Sequence, residues 1–233
     1  SGAMTHVYPR VSELGLRLKT LLGAYRGAGG KDACILFHNA DTSRDLIAKL
    51  GRRAQPGKSG GLPARVIPLE IHSVAAIGMD TLLGALAYGA SQVVLLASMQ
   101  EAEEYGPAVE TQMRHAQTIV NALGYAGTHL KWLATEDVAV LEREVWALAP
   151  AATVADAAGF NLSADKRSTL EFALEHLARF AHAPQEEIAL EQGAPWGRVK
   201  VNRDTCTLCM ACVGACPVSA LVDGRDQPLL KFI

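Results

Sequence analysis

The sequence carries no surplus of positive charge and no long hydrophobic run. Its 22 lysine and arginine residues are balanced by 24 aspartate and glutamate residues, which gives a formal net charge of −2. Nucleic-acid binders neutralise phosphates with excess cations, so this balance argues against a nucleic-acid partner. The longest apolar runs, such as residues 93–97, are far too short to cross a bilayer, and no signal-peptide pattern opens the chain. We therefore expect neither a nucleic-acid partner nor a membrane partner.

Cysteine is scarce over most of the chain. The 233 residues include five cysteines, of which four lie between positions 206 and 216. A disulfide framework would distribute its cysteines around a core, whereas clustered thiols are typical of a metal or cluster site in a reducing compartment. The sequence therefore predicts a cytoplasmic protein with a metal-binding site near its C-terminus.

The composition is that of a globular protein, with 49% hydrophobic and 20% charged residues. The length suits either one large domain or one medium domain with one small domain. We predict an α/β domain over residues 5–150, a linker and connecting helix over 151–196, and a small module over 197–233. The last residues form an apolar, strand-like run without a terminating signal, so we expect the chain to be a segment of a longer protein and its last module to be truncated.

Strand-like and helix-like periods alternate along the predicted α/β domain. A continuous apolar run at residues 33–37 predicts a strand that is buried on both faces, and further strands are predicted at 65–71, 92–97 and 129–134. Amphipathic periodicity and capping residues predict helices at 11–26, 41–51, 79–88, 107–123, 135–148 and 163–181. Strands separated by helices need crossover connections. The predicted fold is therefore a three-layer α/β domain with a parallel sheet of about four strands and flanking helices.

The clustered cysteines have a regular spacing. Cys206, Cys209, Cys212 and Cys216 follow the pattern C-x2-C-x2-C-x3-C, and Pro217 comes next. A cubane presents its iron atoms at separate corners, and a tight loop with a thiolate at every third residue can reach three of them. Small residues between the thiolates let backbone amides approach the cluster. The pattern predicts a [4Fe–4S] site with these cysteines as ligands.

A zinc site is the alternative for four clustered thiols. Zinc sites usually pair two C-x2-C hooks that are well separated in sequence. Four thiols within eleven residues do not match that arrangement. The spacing therefore favours iron–sulfur over zinc.

With this motif, residues 199–233 resemble the first half of a bacterial two-cluster [4Fe–4S] ferredoxin. The resemblance implies a small α+β module with a strand at 198–201, a short helix at 218–221 and a hairpin at 222–227. It also implies that Cys206, Cys209 and Cys212 hold one cluster while Cys216 points to a second.

A half-ferredoxin would lack the surface that normally covers its apolar side chains. We expect these side chains to drive pairing of two copies about a twofold axis, with Cys216 of each copy ligating the other's cluster. The apolar residues concerned are Val218, Leu221, Leu229, Leu230 and Phe232.

Residues 65–125 are similar to the delta subunit of methyl-viologen-reducing hydrogenases, which passes electrons to heterodisulfide reductase. The similarity lies in a strand, a helix that ends in Tyr-Gly-Ala at positions 88–90, a second strand and a following helix. That family places cluster-binding cysteines after its first three strands. This sequence has other residues there, namely His38, Asn39, His72, Ser73, Ser98 and Met99. The resemblance therefore implies a relative without its own cluster, retained for docking or scaffolding.

Other polar or reactive residues give weaker signals. His38 and His72 follow two strands, at the edge where open α/β sheets bind ligands, and they are interpreted as a metal or proton site or as plain loop residues. Glu101 is interpreted as a helix-capping residue on a solvated face. Cys34 lies in an apolar run and is expected to be inert packing.

Taken together, the sequence predicts an electron-transfer segment of a larger redox protein, with a [4Fe–4S] cluster and with redox proteins as partners. No nucleophile–base pair is visible, so the chain is not expected to turn over a substrate itself. One alternative is a relay part of a formate dehydrogenase or hydrogenase complex. Another is a docking or regulatory domain whose half-ferredoxin is empty.

Overall fold

The computed structural model of the chain describes residues 10–183, 185–197, 200–224 and 229–232. The chain divides into two compact units, Ser1–Gln192 and Gly193–Ile233, here called unit 1 and unit 2. Each unit is described separately below.

Unit 1 alternates helices with strands in the predicted order. Its helices and strands are α1 (Val11–Gly27), β1 (Cys34–Asn39), α2 (Thr42–Ala54), β2 (Val66–Ile71), a 3-10 turn (Val74–Ala76), α3 (Met79–Ala87), β3 (Gln92–Ala97), α4 (Met99–Ala122), β4 (Leu130–Ala134), α5 (Val138–Trp146) and α6 (Lys166–Arg179).

The four strands form one parallel sheet in the order β2-β1-β3-β4, which confirms the predicted fold class. Strands β1 and β3 are central, and every residue in them is buried. The connection leaves β1 toward β2 on one side and then returns to β3 on the other. The carboxyl ends of β1 and β3 therefore flank the point at which the strand order reverses, where open α/β sheets form their crevice.

Alternate residues of the strands face two separate cores. Ile35 and Phe37 of β1 join a large core with α1, α3, α4 and α6, while Leu36 of the same strand joins a smaller core with α2 and α5. Side chains of successive strand residues point to opposite faces, so a continuous apolar run fills both cores. The predicted three layers follow from this arrangement.

Helix α4 begins eight residues before its predicted start at Pro107. Ser98 caps the helix, because its hydroxyl accepts a hydrogen bond from the Glu101 amide and the Glu101 carboxylate accepts one from the Ser98 amide. This reciprocal pair starts the helix and leaves Pro107 inside it. Proline is common in the first turn of a helix, so the sequence prediction placed the start too late.

The segment between α5 and α6 belongs to unit 1 instead of forming a linker. Ala151, Val154, Ala158 and Leu162 are buried in this irregular stretch, and the last three belong to the large core. The amide of Ala158 donates to the carbonyl of Ala87 at the end of α3. Helix α6 then packs on α3. Alanine in this segment resembles linker composition, but its small size permits close packing, since a β-carbon at Gly127 would come within 2.8 Å of Ala151 Cβ.

Leu162 packs onto two glycines of neighbouring helices. A β-carbon at Gly15 would come within 2.8 Å of Leu162 Cβ, and one at Gly84 within 2.7 Å of Leu162 Cδ2. The Leu162 side chain is only 1% exposed. The two glycines thus form a socket for a leucine from the segment that the sequence predicted as linker.

We expect Leu162→Ala to lower the free energy of unfolding by about 2–5 kcal/mol, because it leaves a cavity between α1 and α3. Urea denaturation of the full chain measures this change. Leu16→Ala is the matched control, since Leu16 lies on α1 with 64% of its surface exposed and its loss is expected to cost less than about 0.5 kcal/mol. Equal effects of the two substitutions would show that residue 162 is not part of the core.

Unit 2 contains a short helix α7 (Ala211–Ala215) and an antiparallel pair of strands, β5 (Leu221–Asp223) and β6 (Leu230–Phe232). The helix thus lies inside the cysteine run, and the prediction of a helix at 218–221 was wrong because those residues form a turn and the start of β5. The antiparallel pair extends beyond the predicted hairpin at 222–227, since its second strand begins at Leu230, and residues 225–227 of the predicted range lie outside the described residues. The predicted strand at 198–201 is irregular at Lys200 and Val201, and its first two residues are not described.

Candidate functional site

The four clustered cysteines lie on one short path of unit 2. Cys206 and Cys209 precede α7, Cys212 lies within it, and Cys216 follows it. All four are free thiols, the first three exposed and the fourth half-buried. Asn202 starts the loop, since its side-chain oxygen accepts from the Asp204 amide at 3.0 Å and its carbonyl accepts from the Cys206 amide at 2.9 Å.

The backbone of this loop is unusual between the cysteines. Leu208 and Met210 have φ angles of 55° and 57°, and Ser219 after the loop has 51°. Among the described residues of the chain, one other non-glycine residue, Asp32, has a positive φ. Positive φ values alternate with negative ones on either side of Cys209, which is the kind of backbone that turns amides toward a common concave side. Such left-handed residues cluster at functional sites.

Two of the thiols accept hydrogen bonds from this backbone. The Ala211 amide and the Thr207 hydroxyl lower the pKa of Cys209 below its usual value. Amides of Val218, Ala220 and Leu221 lower the pKa of Cys216 in the same way. Hydrogen bonds to a thiolate favour the charged form, which is the form that ligates metal.

The donor set fits an iron–sulfur cluster better than a single ion. Thiolates are the ligands that iron–sulfur clusters select. A structural zinc site usually pairs two C-x2-C hooks that are well separated in sequence. The four thiols of unit 2 instead form one run on a single loop and a short helix, as in a cluster-binding loop whose thiolates bind different iron atoms.

The cysteine loop also matches a known protein family. The family profile of the 4Fe-4S binding domain matches residues 199–222, which include all four clustered cysteines. A search among curated proteins finds no match to the chain. The family match supports a [4Fe–4S] cluster in unit 2 and iron–sulfur electron transfer as the function of this module. Among the helices that the structure describes, none is both long enough and apolar enough to cross a membrane.

The fifth cysteine belongs to unit 1. Cys34 is fully buried at the start of β1, in the smaller core of unit 1. Burial raises the pKa of its thiol to about 12, although the charge of Arg65 acts in the opposite direction. Cys34 therefore remains a protonated packing residue, as the sequence predicted.

Among the described residues, the polar side chains predicted at the carboxyl edge of the sheet are not grouped into a metal site of three ligands. His38 is buried at the end of β1, and burial lowers its pKa despite a contact with the Asn39 carbonyl at 2.9 Å. His72 is exposed just after β2. The described residues of this edge bring together no set of three ligands. A buried carboxylate lies there instead.

That carboxylate belongs to Glu101, which is 9% exposed, so its predicted place on a solvated face was wrong. It accepts five hydrogen bonds. Oε2 accepts from Asn39 Nδ2 at 2.8 Å, from the Ser98 amide at 3.1 Å and from the Ser98 hydroxyl at 3.2 Å. Oε1 accepts from the Ser73 hydroxyl at 2.7 Å and from the Val74 amide at 3.0 Å. The S-x-x-E pattern at 98–101 signals the capping role, but it gives no indication of the partners after β1 and β2.

We expect Glu101 to make stability dependent on pH in the acid range. Burial alone would raise the pKa of Glu101, but its hydrogen bonds outweigh burial and lower it. A lowered folded-state pKa contributes stability that is complete above the unfolded value of about 4.3 and is lost as the pH falls through the folded value. Urea denaturation of wild type and Glu101→Gln should therefore show a difference that shrinks between about pH 6 and about pH 3. A constant difference over this range would contradict the assignment.

Proposed function

We propose that the chain is an electron-transfer segment of a larger redox protein, and that Cys206, Cys209 and Cys212 hold its [4Fe–4S] cluster. Cys216 either completes this cluster or ligates a neighbouring one. The observation that carries the proposal is the alternating backbone around Cys209, since it directs amides to the thiolates in a loop that matches the 4Fe-4S binding family. A bound cluster of this kind supplies a one-electron redox centre.

The residues of the loop have two tasks in this proposal. The amides and the Thr207 hydroxyl stabilise thiolate charge at Cys209 and Cys216, and such hydrogen bonds tune the reduction potential. The exposed apolar side chains of Leu208 and Val218 offer contact surface next to the ligands. A redox protein that docks on this surface can exchange electrons without a bond to the ligands.

Unit 1 serves as a docking or scaffolding domain in this proposal. At the carboxyl edge of its sheet, Asn39 and Ser73 donate hydrogen bonds to Glu101. The one cysteine of this unit is a buried thiol. The similarity to the hydrogenase delta subunit supports a place beside other electron carriers, such as the relay of a formate dehydrogenase or hydrogenase complex. A thiolate-ligated cluster also supports a reducing, cytoplasmic setting.

Anaerobic reconstitution with iron and sulfide separates this proposal from an empty docking domain. We expect about four irons per chain and an absorption band near about 400 nm that bleaches with dithionite. Replacement of all four clustered cysteines by serine provides the control for adventitious iron. Wild-type protein that binds no more iron than this control would favour the docking or regulatory alternative.

We further propose that two copies pair through unit 2. The Cys216 thiol accepts hydrogen bonds from backbone amides after α7, whereas the Cys209 thiol accepts hydrogen bonds from residues of its own loop. The two thiols therefore have separate surroundings. Val218 is 76% exposed, and Leu221, Leu229 and Leu230 are half-buried. Burial of such side chains contributes roughly 1.5–3 kcal/mol each, which can drive association about a twofold axis.

In this pairing, Cys216 of each copy ligates the cluster that is held by the other. Anaerobic sedimentation of the reconstituted protein tests it, with a dimer as the expected result. Val218→Lys should weaken the dimer without loss of the thiolates. A monomer with four irons per chain would contradict the pairing and leave the electron-transfer proposal intact.

A further inference from the structure

Glu101 connects three parts of unit 1 that are distant in sequence. Its capping partner Ser98 is local to α4, but its other partners are Asn39 at the end of β1 and Ser73 and Val74 after β2. Because parallel strands end at the same edge, the three loops after β1, β2 and β3 meet at one carboxylate. A simple helix cap would need the local pair alone.

The groups that donate to Glu101 are themselves held by other hydrogen bonds. Asn39 Oδ1 accepts from the amides of Asp41 at 3.2 Å and Ser43 at 3.0 Å, which orients the Asn39 amide group toward Glu101. Ser73 Oγ accepts from the Ala75 amide at 3.3 Å and therefore directs its proton to Glu101. Hydrogen bonds within each loop therefore orient the donors without help from Glu101. The Glu101 carboxylate then joins these loops to one another.

We propose that Glu101 is an internal cross-link that holds the carboxyl edge of the sheet closed. It joins the loops after β1, β2 and β3 into one cooperative unit, and it occupies with a protein carboxylate the place where open α/β sheets bind a ligand. Loss of the carboxylate releases all three loops together, although two of them are far from Glu101 in sequence. This role goes beyond the electron-transfer function of unit 2 and does not depend on it.

Hydrogen exchange of the full chain tests the cross-link. In Glu101→Ala, amides in all three segments 39–43, 73–76 and 98–102 should exchange at least about tenfold faster, and Tm should fall by roughly 5–10 °C. Glu103→Ala is the matched control, because Glu103 is exposed on the same helix. Faster exchange confined to 98–102 would show that Glu101 is only a capping residue and would overturn the proposal.

Acetate distinguishes the lost carboxylate from lost packing, because it replaces the atoms that Glu101→Ala removes. About 200 mM sodium acetate should slow exchange in all three segments of this variant relative to the same concentration of sodium chloride, with no such effect on wild type or Glu103→Ala. An equal effect on all three proteins, or none on Glu101→Ala, would overturn the proposal.

Glu101→Gln covers the case in which Glu101→Ala does not fold. Glutamine keeps the shape of the side chain but points an NH2 group at donors on one side of the cross-link. We expect faster exchange in the three segments for this variant as well. Exchange at wild-type rates in Glu101→Gln would overturn the proposal.

Discussion

Cys209→Ser is expected to reduce iron and sulfide binding to background while it leaves the far-UV circular dichroism of the chain almost unchanged. Serine offers a hard oxygen ligand in place of a soft thiolate, and the substitution also removes the sulfur that accepts hydrogen bonds from Ala211 and Thr207. The helices that dominate the circular dichroism signal lie in unit 1, which has its own cores. Iron analysis and absorption after anaerobic reconstitution measure the effect.

Cys34→Ala is the matched control for this experiment. It removes the one cysteine outside the cluster, whose thiol is buried in the smaller core of unit 1. We expect this variant to bind as much iron as wild type. Loss of the cooperative unfolding transition in Cys209→Ser would contradict the view that the cluster and the α/β unit are separate.

Truncation after Gln192 and truncation after Leu162 are expected to give opposite results. The first keeps all of unit 1 and should yield a folded, colourless, iron-free protein. The second removes α6, whose Ala173 and Leu177 are buried against the large core. Burial of a leucine such as Leu177 contributes roughly 1.5–3 kcal/mol, and truncation also uncovers the buried surface of α3, so the shorter chain should lack a cooperative transition.

Thermal unfolding followed by circular dichroism, with iron analysis after reconstitution, measures both truncations. A shorter chain that unfolds as cooperatively as the longer one would show that α6 is dispensable. About two irons per chain in the truncation after Gln192 would instead reveal a cluster in the α/β unit, although its one cysteine, Cys34, is buried.

The two central strands, β1 and β3, were predictable because they are buried on both faces. Parallel strands in the middle of a three-layer domain need apolar residues at every position, and a continuous run such as that in β1 or β3 is visible in sequence alone. The contacts of residues 151–162 were not predictable in this way. The burial of Leu162, for example, depends on glycines at positions 15 and 84, which are distant in sequence.

The features of the candidate sites were likewise predictable only where they depend on local sequence. The ligand spacing of the four cysteines is local, so the sequence predicted the iron–sulfur module that the family match supports. The left-handed backbone of Leu208 and Met210 was not predictable, because neither residue is glycine. The burial of Glu101 was missed since its decisive partner Asn39 precedes it by 62 residues.

During synthesis on the ribosome, helix α3 is made well before the helix that covers it. All nine of its residues are buried, yet the helix that covers it, α6, begins roughly 80 residues later. At about 5–20 residues per second, synthesis leaves the apolar surface of α3 without that cover for roughly 4–16 seconds. During this interval the nascent chain presents the kind of surface that chaperones bind. Slow translation before α6 is therefore expected to lower the yield of native protein, and faster delivery of α6 to raise it.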